Sequence, residues 1–191
     1  MAASNVSLAN RALQILGSSN TIESLTEDSP NARTMNRALE PRRRAMLRRY
    51  RWTFAITRAS VAADGDQTTF GSYNRFALPN GFIRLLRDVD RPDVRKDWRI
   101  EGRFIVTEDA SPLQFRYIAD VTDPTLWDVL FFETLAHDMA HETCEEVTGS
   151  SAKKQEIKDD LKAILAEAKL IGGIEEDPVE ALEDDHILAM L

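Results

Sequence analysis

Residues 113–149 read LQFRYIADVTDPTLWDVLFFETLAHDMAHETCEEVTG, and two different hydrophobic periods meet inside them. Leu113, Phe115 and Tyr117 alternate with Gln114 and Arg116, the period-two pattern of a strand buried on one face. Asp123-Pro124 then supplies a cap residue followed by proline at a first helical position. From there Leu126, Leu130, Ala136, Ala140, Cys144 and Val147 recur at helical spacing until Gly149, which suits a left-handed helix end. A helix apolar over so wide an arc is expected at the centre of the protein.

Working upstream, Phe76 to Pro79, Phe82 to Val89 and Trp98 to Val106 are short apolar runs. The turn signals Asn80-Gly81, Arg91-Pro92-Asp93 and Asp109 to Pro112 punctuate them. Glu101-Gly102 interrupts the run from Trp98 to Val106, which predicts a tight hairpin there. Together with the strand at Leu113 these runs predict a small antiparallel meander over residues 74–121. Before it, Ser4 and Gly17 bracket an amphipathic segment carrying Val6, Ala9, Leu13 and Leu16. Asp28-Ser29-Pro30 opens a second helix with Met35, Leu39, Met46 and Tyr50 on its buried side. Pro41 lies inside it and costs on the order of 3 kcal/mol there, which predicts a kink or break between Leu39 and Arg43.

Downstream, Ser150 caps a fourth helix whose Ile157, Leu161, Ile164, Ala168 and Ile171 follow a four-three repeat up to Gly172-Gly173. The expected architecture is therefore α+β: a bundle of about four helices, with the meander inserted between the second and third. It comprises a domain over residues 1–173 and an extended C-terminal tail over 174–191. That tail is acidic through Asp185 and apolar at its tip, where Ile187, Leu188, Met190 and Leu191 have no evident place in a core of their own.

Composition narrows the function. Of the 191 residues 43% are hydrophobic and 29% charged, which is globular and argues against a collagenous or wholly disordered chain. No apolar run is long enough to span a bilayer, so no membrane partner is expected. The opening MAASNVSLANRALQ lacks a basic region followed by an apolar one, so no signal peptide is expected either. A single cysteine, Cys144, excludes an internal disulfide framework and suits a small buried residue. The net charge is −8, yet residues 1–60 hold ten Arg against four acids and residues 141–191 hold fourteen acids against five Lys. Such polarity suits a subunit whose two ends face different surroundings, including the opposite end of a neighbour.

The densest charge cluster is Arg42, Arg43, Arg44, Arg48, Arg49 and Arg51. Helical spacing puts Arg44, Arg48 and Arg51 on one face with Arg33 and Arg37. Guanidinium groups in that array fit acidic surfaces of neighbouring subunits, DNA phosphates, or simply solvent. His137-Asp138-Met139-Ala140-His141 sets two imidazoles one turn apart, as in the zinc-protease HExxH pattern, but the shorter Asp stands where that chemistry needs Glu. Trp52, Trp98, Trp127, Phe131 and Phe132 read as core anchors and not as a base-stacking platform. No G-x-S-x-G elbow, P-loop or G-x-G-x-x-G sequence is present, so no nucleophilic, nucleotide-hydrolysing or dinucleotide chemistry is expected.

The order of these signals resembles one family. LANRALQILG, then SPNARTMNRALEPRRRAMLRRYRWTFA, is similar to the opening of the tail tubular protein A and related head-to-tail adaptors of tailed phages. ALPNGFIRLLR, WRIEGRFIVTE, LQFRYIADVTDP and LWDVLFFETLAHDMAHE resemble that family's middle strands and third helix, so the likeness spans about residues 5–172. The resemblance implies a virion protein of the head-tail junction, assembled in the host cytoplasm into a ring of about twelve copies. That ring would join the portal protein to a tail tube or nozzle protein and let genome DNA pass. It implies no catalytic residue, metal or cofactor. Subunit or portal contacts would fall on Arg42, Arg43, Arg44, Arg48 and Arg51, and on Ile187, Leu188, Met190 and Leu191. The readings set against it are a zinc-dependent hydrolase using His137 and His141, and a small DNA-binding protein using the Arg42 to Arg51 helix.

Overall fold

The computed structural model describes residues 3–65, 68, 71, 73–86 and 98–175. The fold is α+β, and the chain divides into two compact units. One is helical and comprises Met1–Phe54 and Val121–Leu191; the other, Ala55–Asp120, lies between its two halves in sequence and carries all the strands found among the described residues.

In the helical unit, α1 (Asn5–Ile15) starts with a reciprocal cap: Ser4 Oγ accepts from the Ser7 backbone and Ser7 Oγ from the Ser4 backbone. α2 (Pro30–Arg49) starts on the Ser29 hydroxyl with Pro30 in the first turn. It runs unbroken through Pro41, so of the expected kink or break the break does not occur. Pro41 is exposed, as is Arg37 one turn before it, so the missing backbone bond falls on the exposed side of the helix. Meanwhile Leu39, Arg43, Met46 and Leu47 hold the opposite side in place.

α3 (Val129–Thr148) begins later than Asp123-Pro124 suggests. Those residues form a separate 3-10 turn, Pro124–Leu126, and Asp128 caps the helix by accepting from the Leu130 and Phe131 backbone. Both local signals are real caps; two such signals five residues apart cannot open the same helix. Leu126 is consequently exposed and not core. Every residue from Thr134 to Ala140 is buried, so two turns of α3 are enclosed all round, with α1, α2 and α4 packed against them. The αL residue Gly149, φ 67°, ends the helix. α4 (Ser151–Glu175) is capped by Ser150, buries Ile157 and Leu161, and continues through Gly172 and Gly173 where the sequence suggested an end.

The sheet unit is not one meander. β1 (Ile56–Val61), β6 (Leu113–Ala119) and β3 (Phe82–Leu85) form one antiparallel sheet in the order β1-β6-β3. β2 (Asn74–Ala77), β5 (Phe104–Thr107) and β4 (Arg99–Glu101) form a second in the order β2-β5-β4. Phe76, Leu78, Ile105, Leu113, Phe115 and Tyr117 pack into the unit's core, so the alternation read from Leu113 is the true inward face. Glu101 pairs with Phe104 across the expected two-residue turn at Gly102. β1 was not expected, because among the described residues it pairs only with the distant β6, and ITRASV shows no strong alternation of its own. The turn at Arg91-Pro92-Asp93, the end of the run at Val89, and the tip Ile187, Leu188, Met190 and Leu191 lie outside the described residues.

Candidate functional site

The arginine cluster of α2 does not act as one surface. Arg42 turns inward: its Nε donates to Asp138 Oδ2 at 2.7 Å and its Nη2 to Asp138 Oδ1 at 2.6 Å, a bidentate pair between α2 and α3. The Asp138 side chain is only 2% exposed and that of Arg42 19%. The hydrogen bond to Asp138 holds the Arg42 guanidinium above its ordinary pKa against the opposing effect of burial, and Glu142 adds a contact at 3.3 Å. Arg43 is buried as well.

Other ion pairs continue the seam. Arg11 Nε donates to Glu133 Oε2 at 3.0 Å, joining α1 to α3. Glu146 accepts from the Thr34 hydroxyl and from Arg37, and these two bonds hold its carboxyl below the usual carboxylate range. The basic first half of the chain and the acidic α3 are thus partly reconciled inside one subunit. That explains part of the charge asymmetry without any partner.

Arg44 and Arg48 remain on the exposed side of α2, in line with Arg33 and Arg37. Arg51 leaves that line. The helix ends at Arg49, Tyr50 is extended, and Arg51 is half-buried beyond it. Of the five arginines expected at an interface, Arg44 and Arg48 are therefore the two that lie exposed on the helix, and both already make contacts within the chain. Two exposed apolar pairs accompany them in the helical unit: Leu126 and Val129 are 62% and 76% exposed, and Leu170 and Ile171 are exposed near the end of α4.

The histidine pair has a structural setting. His137 is buried and its Nδ1 lies 2.8 Å from the Glu133 carbonyl, which can only accept, so Nδ1 carries the hydrogen. His141 is half-buried; burial, then the nearby Lys154, hold its pKa below the ordinary value. Asp138, where HExxH has its catalytic glutamate, has both oxygens occupied by Arg42. Among the described residues no group of three or more His, Cys, Asp or Glu is placed to hold a metal ion. A pH dependence follows. Because the unfolded His141 binds a proton more readily than the folded one, its contribution is fully present above 6.5 and is lost as pH falls through the folded value. His141→Gln should flatten the decline of melting temperature below pH 6.5; an unchanged slope would contradict this.

The tryptophans serve the cores. Trp52 and Trp127 both meet Phe131 edge-on, at centroid distances of 5.0 and 5.4 Å, while Trp98 packs edge-on against Phe115 in the sheet unit. Each indole N–H donates within its own unit: Trp52 to the Met46 carbonyl, Trp127 to that of Val121, and Trp98 to Asp109. Cys144 is fully buried on α3. A further group, Arg58, Arg84 and Arg116, escaped the sequence reading because strands 26 or more residues apart are needed to bring it together. No protein-family model and no curated protein matches this sequence.

Proposed function

We propose that this chain is a structural subunit of a tailed-phage virion, a head-to-tail adaptor that assembles as a ring between the portal and the tail tube or nozzle. The observation that carries the reading is the ordered resemblance over about residues 5–172 to that adaptor family, from LANRALQILG through LWDVLFFETLAHDMAHE. Three features support it: an inserted strand-bearing unit between α2 and α3, the exposed Arg44 and Arg48, and the exposed Leu126 and Val129. An assembly role also gives the apolar tip a purpose, since an apolar sequence behind an acidic spacer is suited to ordering on a large partner.

Deleting Ile187 to Leu191 tests this. The truncated chain should melt at the same temperature as the full chain, because Phe131, Leu135, Met139 and the rest of the buried set lie elsewhere. Its binding to portal particles should weaken at least tenfold, measured by co-sedimentation. Portal binding equal to that of the full chain would remove the tip from the account.

A further inference from the structure

α4 separates its charges by flank. On one side of the buried Ile157 and Leu161, Lys154, Lys158, Lys162 and Lys169 share a helical face. On the other side, Glu156, Asp160 and Glu167 share a second face. The lysine flank is engaged within the subunit: Lys154 meets Glu145 at 3.1 Å, Lys162 meets Asp159 at 2.8 Å, and Lys169 lies over the Tyr50 ring at 5.0 Å. Because Tyr50 closes α2, the Lys169 contact turns the acidic flank away from that end of α2. Glu156, Asp160 and Glu167 are exposed and make no hydrogen bond or ion pair with a described residue.

The exposed stripe of α2 matches this flank in spacing and length. Arg37, Pro41, Arg44 and Arg48 advance in steps of four, three and four, as do Glu156, Asp160, Ala163 and Glu167, and each set covers about 16 Å of helix. Laid antiparallel, Arg48 meets Glu156, Arg44 meets Asp160 and Arg37 meets Glu167. The exposed Pro41 and Ala163 then face each other in the middle, where two short side chains let the helices approach closely. The parallel register would pair opposite charges only at its two ends.

We infer that the arginine stripe of α2 receives the acidic flank of α4 from a second copy of the chain, antiparallel, with Arg48 on Glu156 and Arg44 on Asp160. Arg37 already holds Glu146, so Arg44 and Arg48 carry the recognition. Both make contacts within their own chain, and contacts at so exposed a surface exchange at little cost. Guanidinium groups suit such an exchange, since each can take a carboxylate through two parallel bonds. DNA phosphates would also suit the stripe, but they would leave the acidic flank of α4 unused. Stripe and flank are different surfaces, so the contact is heterologous and closes into a ring when the rotation fits. The inference rests on the ring reading above.

The test counts rings formed on portal particles by electron microscopy. Glu156→Lys with Asp160→Lys should weaken ring formation about 100-fold, and Arg44→Glu with Arg48→Glu should do the same. Mixing the flank-reversed chain with the stripe-reversed chain should restore rings, since every reversed flank then meets a reversed stripe; that rescue also shows both variants to be folded. Rings that survive reversal of the flank would overturn the inference and leave the adaptor reading intact. Loss on reversing the stripe that no mixing restores would assign Arg44 and Arg48 to DNA or to the portal, again overturning it. Rescue only when both reversals share one chain would show a contact within the subunit, with the same result. A parent chain that forms no ring yet is present in purified virions would overturn the inference alone; absence from virions would overturn both readings.

Discussion

Arg42→Ala lowers the unfolding free energy by about 4 kcal/mol, in the range expected when a buried ion pair loses one partner. The loss comes less from the attraction removed than from what is left behind. Asp138 is enclosed among α2 and α3, and without Arg42 its nearest described cation is Arg49, at 4.0 Å. Asp138→Ala costs less, about 3 kcal/mol, because Arg42 keeps Glu142 and part of its exposure. Arg42→Met combined with Asp138→Leu should recover most of the loss, since an apolar pair of similar volume needs no compensating charge. Urea denaturation followed by helical signal measures all four chains, with the midpoint shifting at constant slope. A loss below about 1 kcal/mol for Arg42→Ala would show that the pair is not the fastening of α2 to α3.

Arg44→Glu with Arg48→Glu has the opposite profile, with little effect on the fold and a large one on assembly. Both residues are on the exposed side of α2, where a charge change alters stability by about 1 kcal/mol or less. At an interface the same reversal turns attraction into repulsion, which costs several kcal/mol. The variant should therefore unfold at nearly the parental urea midpoint yet be absent from purified virions when it is the only copy expressed. Normal virions carrying it would remove this face of α2 from the contact. Assembled particles that eject DNA slowly would instead place Arg44 and Arg48 against the passing genome.

The sequence made the helices legible because their signals are local. Ser4, Ser29, Ser150 and Gly149 each act within one turn, and each is found capping or ending the helix it announced. Asp123, which the sequence offered as the cap of the third helix, opens a separate 3-10 turn, and α3 starts on Asp128. Pro41 was read with the penalty of an isolated helix, whereas the buried residues on the other side of α2 keep the helix intact. The sheet unit was less legible, because β1 and β6 pair across more than fifty residues and no local period records such a pairing. The same limit applies to the site. Charge density alone marked the arginine cluster, but only the packing of α2 on α3 separates Arg42, which fastens the subunit, from Arg44 and Arg48, which face outward.

The central claim is tested most directly by a cryo-electron microscopy map of the virion at a resolution that traces side chains. The account predicts this chain in a closed ring directly beneath the portal, with Arg44 and Arg48 at a protein contact and the tip from Ile187 to Leu191 against the portal or a neighbouring subunit. A virion whose head-tail junction is built entirely from other chains, with this one absent from the particle, would contradict it.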